Sequence, residues 1–324
     1  MEGRLLRRIS LTLIVILIPL LCEIAHGAPP AVVGFQQLHM EDGTEIGIWY
    51  PATGTPALER LGLYEQTVVR DATPAGAGHR LIVMSHGTGG SFSGHHDTAQ
   101  ALAEAGFIVA ALTHPGDNWQ DQSRATEIEA RPAALDALIT YMMRDWPAHG
   151  VLDPARIGAF GFSAGGFTVL TAAGGKPDLS RIADHCIAHP DFFDCTLIKA
   201  HPRGAVSWPN VMDWRIKAIV VAAPALGFTF NKAGLASVTV PVQLWRADDD
   251  HILPAPFYAD AVRSALPGAV EFHEVPGAGH FDFLAPCAKG APKLAICASA
   301  PGFDRTAFHD RFNAEIVRFF LEKL

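Results

Sequence analysis

Apolar and polar positions change period several times along this chain, and each change marks an element. Residues 31–40 alternate, as a half-buried strand does, and read as an antiparallel edge strand. Asp42-Gly43 offers a turn into a second alternating run, 44–50, which Pro51 closes. Residues 52–78 are rich in Pro, Gly and Ala and read as loop with at most one short helix. At Arg80 the pattern shifts, because Leu81-Ile82-Val83-Met84 is apolar without a break, as expected of a strand covered on both faces. Further strands are predicted over 107–112, 157–160, 216–224, 241–245 and 270–275. Between them the period lengthens to that of a helix. Thr98, Ala101, Leu102 and Ala105 share one face before the stop at Gly106. Other helices are predicted over 132–143, through Phe167, Val169, Leu170 and Ala173, over 255–266 and over 306–324.

Strand alternating with helix at short connections builds one doubly wound, mostly parallel α/β sheet, here of about eight strands flanked by helices. No repeat or linker interrupts residues 28–324, which read as one domain. Residues 176–214 break the rhythm with Pro177, Pro190, Pro202, Pro209, Trp208 and Trp214. They are predicted to form a cap-like insertion after the helix that follows Ser163, over the carboxyl edge of the sheet, where open α/β folds bind their substrates.

Composition changes this picture at the start of the chain. Arg4, Arg7 and Arg8 precede an apolar run from Leu11 to Leu21, followed by Ala25-His26-Gly27-Ala28. That order is a secretory signal peptide over residues 1–27, and the run is too short to span a bilayer comfortably. Leu21 is not the small residue that a lipoprotein needs before Cys22. The expectation is a secreted or periplasmic protein without a stable membrane anchor after cleavage. At 324 residues and 49% apolar composition the chain can bury a large core and is not a disordered one. A net charge of −8 without a basic run argues against nucleic acid as a partner. Of the five cysteines, Cys22 lies in the leader. The remaining four, in an exported chain, favour two disulfides; Cys186 with Cys195 and Cys287 with Cys297 is the natural pairing among the three that four cysteines permit. No pair has the C-x-x-C spacing of zinc or redox sites, so neither metal nor cofactor is expected.

The chemistry centres on Gly161-Phe162-Ser163-Ala164-Gly165, between a predicted strand and a predicted helix. Gly-x-Ser-x-Gly in that setting is a nucleophile elbow: the serine occupies a sharp turn, and small neighbours let the two backbones pass closely. A serine nucleophile needs a base, a carboxylate to orient the base, and N–H donors for the oxyanion. Fifteen histidines compete for the first role. His280 fits, because Gly277-Ala278-Gly279 just past the strand at 270–275 lets a loop carry its ring back over the sheet edge. The acid should leave the end of the preceding strand, where Asp248-Asp249-Asp250 stand together; Asp250 is assigned to it, and the other two to the turn or solvent. Ala164 N–H supplies one oxyanion donor, and in His86-Gly87-Thr88-Gly89-Gly90 the Thr88 N–H supplies the second. The rival reading of His86 as a metal ligand with His95, His96 and Asp97 lacks the H-x-x-x-H spacing. Phe92, Trp119, Phe281 and Phe283 are candidates for an apolar substrate pocket, with core as the alternative for each.

Ser85-His86-Gly87-Thr88-Gly89-Gly90 followed by Gly106-Phe107-Ile108-Val109-Ala110-Ala111 resembles the platelet-activating-factor acetylhydrolase and predicted dienelactone hydrolase branch of the α/β-hydrolases. Val33-Gly34-Phe35 with Trp49-Tyr50-Pro51 is similar to the start of that branch, and Asp250-His251-Ile252-Leu253-Pro254 resembles the acid loop of dienelactone hydrolases. The resemblance covers roughly 31–283 and implies an α/β-hydrolase fold and serine hydrolase action on carboxylic esters; the residues read above would carry it on a small-molecule ester through an acyl-enzyme. Two positions depart from it. Val221-Ala222-Ala223-Pro224-Ala225 offers no carboxylate where the acetylhydrolases place theirs, and Ser163 stands where dienelactone hydrolases use cysteine. An amidase or peptidase with the same triad, or a non-catalytic binding protein on this fold, are the alternatives.

Overall fold

In the computed structural model, which describes residues 32–202, 208–209 and 211–324, the chain opens with strands β1 (Val32–His39) and β2 (Glu45–Ala52). There follow β3 (Ala57–Leu61), β4 (Tyr64–Arg70), β5 (His79–Ser85), α1 (His96–Glu104) and β6 (Ile108–Leu112). Next come α2 (Ala130–Arg144), β7 (Leu152–Phe162), α3 (Ala164–Ala172), and two short helices, α4 (Arg181–Ala188) and α5 (Phe193–Ala200). The chain continues through β8 (Ile216–Ala222), α6 (Lys232–Leu235), β9 (Val242–Ala247), α7 (Ala259–Ala265), β10 (Glu271–Val275) and α8 (Arg305–Lys323). The leader expected over 1–27 lies outside the described residues.

All ten strands join one sheet in the order β10-β9-β8-β7-β5-β6-β2-β1-β4-β3. From β6 to β10 the neighbours run parallel, and β2 pairs antiparallel with both β6 and β1. Because successive side chains in a strand point to opposite faces, each central strand feeds two cores. Leu81 and Val83, Ile157 and Ala159, and Ile219 and Val221 pack with α2, α3 and α7. Ile82 and Met84, Phe160 and Phe162, and Val220 and Ala222 pack on the other side with α1 and the Phe308, Phe312, Phe319 and Phe320 stripe of α8. The unbroken apolar runs in the sequence follow from that double cover.

Residues 52–78 are not loop. Ala57-Leu58-Glu59-Arg60-Leu61 and Tyr64-Glu65-Gln66-Thr67-Val68 form a hairpin, turning at Gly62 with φ +61°, and β4 adds to β1 in parallel. The sheet therefore has two more strands than expected. For the same reason β1 is interior and β3 is the edge, blunted by Glu59 and Arg60. The helix expected over 255–266 begins only at Ala259, since a proline disfavours helical backbone in the residue before it and Pro254 and Pro256 both stand at the expected start.

Within 176–214, Cys186 and Cys195 join α4 to α5. His185 stacks on Phe228 at 3.6 Å, and Tyr258 donates to Asp194 Oδ1 at 2.9 Å. Phe228 and Tyr258 follow the carboxyl ends of β8 and β9, so these helices rest on the loops at that end of the sheet.

The last helix is tied to α1 by a polar cluster. Asp97 Oδ2 lies 2.6 Å from His309 Nδ1 and accepts from Asn313 Nδ2 at 2.9 Å, while Thr98 donates to Asn313 Oδ1 at 2.6 Å. Burial works to raise the Asp97 carboxyl, but His309, His96 and Asn313 outweigh it and hold it well below the usual carboxylate range. A carboxylate depressed in the folded state adds stability above its unfolded value, about 3.9, and loses it as the pH falls below that. Asp97→Asn is therefore expected to cost about 1–3 kcal/mol near neutral pH and less in acid. Thermal melts should show the gap between parent and variant staying level from about pH 6 to about pH 4.5 and narrowing from about pH 4 downward.

Candidate active site

Ser163 sits between the last residue of β7 and the first of α3 with φ 56° and ψ −118°. For a residue with a Cβ such backbone costs on the order of 1–3 kcal/mol. The surroundings hold it there. Ser163 N–H donates to the Ala222 carbonyl at 2.9 Å, and its carbonyl accepts from Ala225 N–H at 2.9 Å and Phe167 N–H at 3.2 Å. The flanking glycines are there for close approach. A Cβ on Gly161 would collide with the Gly165 carbonyl, and one on Gly165 with the Ser85 carbonyl. The hydroxyl thus projects beyond the carboxyl end of β7.

Two neighbouring loops meet it there. His280 begins the short turn that follows β10, and its Nε2 lies 3.0 Å from Ser163 Oγ. On its other side Nδ1 lies 2.7 Å from Asp250 Oδ2. All three residues are buried, each at 5–6% exposure, so the chain of contacts is shielded from bulk water. Asp250 Oδ1 accepts from the Ile252 and Leu253 N–H groups at 2.9 and 2.7 Å, which aims the carboxylate. Burial pushes the Asp250 carboxyl up, but His280 and these two amides outweigh it and keep it below the ordinary range. Asp248 pairs with Arg246 at 3.5 Å and Asp249 with the exposed His251 at 3.1 Å; both lie on the solvent side of the turn. The acid and histidine loops are stitched together where Asp248 N–H meets the Val275 carbonyl and Asp249 N–H the Ala278 carbonyl.

The 86–90 loop crosses directly over the serine, with the ideal Cβ position of Gly87 3.0 Å from Ser163 Cβ. Gly89 N–H is committed to Asp117 Oδ1 at 2.9 Å and Gly90 N–H to the Gly87 carbonyl at 3.1 Å. Thr88 N–H, like that of Gly87, has no acceptor among the described residues, and neither has Ala164 N–H at the start of α3. Those free donors are what an oxyanion would need.

The aromatic candidates divide. Trp119 is 66% exposed, and its backbone N–H donates to the Gly90 carbonyl at 3.2 Å, which places the residue beside this loop. Phe281 is half-buried, edge-on to His280 at 5.6 Å. Phe92 and Phe283 belong to the core instead. Phe92 packs against Phe35 and Trp49, and Phe283 is fully buried among Phe162, Phe308 and Phe312. The four residues of the rival metal reading do not converge. His86 bonds the Gly87 carbonyl and the His114 N–H, and His95 packs on Phe160 and Phe162. His96 spans the Ser93 and Glu65 carbonyls, and the Asp97 carboxylate is turned to His309 of α8. Among the described residues, ligand atoms approach one another in His185, Asp194 and Cys195, and in Glu271, His273 and Glu315. Cys195 is spent in its disulfide, and Arg318 and Gln243 already engage Glu271.

Two buried ion pairs went unread in the sequence. Arg131 pairs with Asp117 at 2.5 Å behind the 86–90 loop. Arg305 pairs with Asp282 at 3.0 Å, and Asp282 Oδ2 in turn accepts from Gly279 N–H at 2.8 Å, next to His280. Arg305 also donates to the Ile296 and Ala298 carbonyls, at 2.7 and 2.6 Å, beside the Cys287–Cys297 disulfide. The signal available was an arginine among the apolar residues of α2, between Ile128 and Leu135.

Comparison with known proteins agrees with the fold. Residues 91–218 match the prolyl oligopeptidase family, a segment that includes Ser163 and stops before Asp250 and His280. Among curated proteins none matches the chain. Of the solved structures, a ferulic acid esterase from Streptomyces cinnamoneus superposes with a TM-score of 0.59, 17% identity, and 92% of each chain covered. The architecture is that of the α/β-hydrolases.

The crossing at the elbow makes a sharp prediction. Gly165→Ala is expected to cost more than about 3 kcal/mol or to prevent folding, since backbone rather than a flexible side chain stands in the way. Gly268→Ala, with open space around it, should stay within about 0.5 kcal/mol of the parent. Denaturant titration of the two variants measures the difference.

Proposed function

We propose that this protein, an α/β-hydrolase in fold, is a serine hydrolase that cleaves carboxylic esters through an acyl-enzyme. One observation carries the reading: Ser163 Oγ, His280 and Asp250 Oδ2 form a continuous buried line of 3.0 and 2.7 Å contacts at a strained serine between strand and helix. In this mechanism His280 Nε2 takes the proton from Ser163 Oγ as the oxygen attacks the ester carbonyl carbon. The negative charge on the carbonyl oxygen is met by the Ala164 and Thr88 N–H groups. Asp250, accepting from His280 Nδ1–H, fixes the ring's tautomer and stabilises the imidazolium. His280 then gives the proton to the departing alcohol, and water repeats both steps on the acyl-enzyme to release the acid. Trp119 and Phe281 are the residues we assign to substrate contact.

Esters are favoured by the fold-level likeness to an esterase and by the residues that resemble the acetylhydrolase and dienelactone hydrolase branch, beside which we place the chain. The match to the prolyl oligopeptidase family favours a second reading, amide or peptide cleavage by the same groups. We further infer that the protein works outside the cytoplasm. Two disulfides support this, as does the leader-like order of residues 1–27, and no helix among the described residues is long and apolar enough to cross a membrane.

A fluorophosphonate probe should label the parent and not Ser163→Ala, with both proteins folded. Ser163→Ala and His280→Ala are expected to lower turnover of p-nitrophenyl acetate by roughly 10⁴–10⁶-fold, and Asp250→Asn by about 10⁴-fold. Faster cleavage of a matched p-nitroanilide than of the ester would decide for the amide reading. Labelling that survives in Ser163→Ala would remove the serine from the mechanism.

A further inference from the structure

Behind the 86–90 loop lies a closed polar network that none of the steps above uses. Its centre is Arg131 on α2, 3% exposed, whose guanidinium donates in three directions. Nη1 reaches Asp117 Oδ2 at 2.5 Å, and the other oxygen of Asp117 holds Gly89 N–H. Nη2 donates to the carbonyl of His86. Nε donates to Thr168 Oγ1 at 3.2 Å, and the Thr168 hydroxyl donates to the Ala164 carbonyl at 2.8 Å. Two arms therefore grip the loop on either side of Thr88, and the third reaches the first turn of α3, which begins with Ala164. A buried charge is costly to desolvate, and an apolar residue would serve if packing were all that this position required. A planar fork that can hold a carbonyl, a hydroxyl and a carboxylate in fixed directions at once is what Arg offers and Lys does not.

We propose that Arg131, held by Asp117, is a positioning residue for the oxyanion hole: it fixes the separation and direction of the Thr88 and Ala164 N–H groups. The proposal rests on the serine hydrolase reading above. The rest of the loop is consistent with a rigid donor. His86 lies 2.6 Å from the Gly87 carbonyl through Nδ1 and accepts the His114 N–H at 2.9 Å through Nε2, so its tautomer is set. Burial first, and the charge of Arg131 second, hold both His86 and His114 well below the ordinary histidine range. Both rings stay neutral, and the loop keeps one hydrogen-bond arrangement across neutral pH.

The test is the double variant Arg131→Met with Asp117→Asn, which removes both charges together rather than stranding one. With p-nitrophenyl acetate its kcat should fall by about 10²–10³-fold. KM should stay within about threefold of the parent, as for an interaction made only in the transition state. The pH profile of kcat/KM should keep its midpoint, since the line from Ser163 to Asp250 is untouched. Arg131→Lys, which keeps the charge and loses the fork, should show a smaller fall in kcat with the same constancy of KM; it serves alone if the double variant does not fold. Amide hydrogen exchange over 86–90 should quicken in either variant while β5 and β7 remain protected. A kcat at the parent's level, a loss carried by KM, a shifted pH profile or unchanged exchange overturns the proposal. If the parent itself neither turns over the ester nor takes the fluorophosphonate, the hydrolase reading is what fails, and the exchange measurement still judges the clamp.

Discussion

Everything in this molecule that could do chemistry depends on one crossing of backbones. β7 must end, turn and begin α3 so tightly that neither Gly161 nor Gly165 has room for a single methyl group. That crowding is what forces Ser163 into positive φ and keeps it there, through hydrogen bonds to Ala222, Ala225 and Phe167. A turn under such strain persists only where its surroundings over-determine it. Here they do, because β7 lies near the middle of the sheet with β5 on one side and β8 on the other. The loops after β5, β9 and β10 then arrive at the same edge simply because those strands run parallel to it.

The stabilisation of the site is unevenly distributed. Exposed pairs such as Arg124 with Glu127 contribute from nothing to about 1 kcal/mol. Arg131–Asp117 and Arg305–Asp282 are different in kind, since both partners are at most 7% exposed in each. Ion pairs of that depth are seldom more stabilising than apolar packing; what they add is a fixed arrangement. One sits behind the loop over the serine, the other beside the loop of the histidine. Precision is placed beside the two loops that meet Ser163, while the apolar faces of the sheet carry the stability.

How far the sequence could be read follows from the physics of each signal. Double cover turns a strand into an apolar run, so the central strands were legible, and glycine spacing exposed the elbow. That Asp250 and His280 would lie near Ser163 could be expected, because parallel strands deliver their following loops to one edge. The hairpin 57–68 was not legible as such: Pro, Gly and Ala around it mask an alternation that is polar on one side, with Arg60, Glu65 and Thr67. Phe92 and Phe283 could not be told from pocket residues, since burial in a core and burial under a ligand look alike in composition. Arg131 and Asp117 are 14 residues apart and joined only by the fold, so pattern alone cannot pair them.

The order in which the chain supplies its parts has a consequence in time. His280 comes 117 residues after Ser163, on the far side of β8, β9 and β10. Its loop is then braced by Arg305 at the head of α8, the helix whose phenylalanines close one face of the sheet. A chain emerging from its N-terminal end can thus complete the elbow, with its serine in place, while the group that would make that serine reactive is still unfolded. On the proposed reading, the nucleophile would be born unarmed and stay so until the final strand and helix have docked.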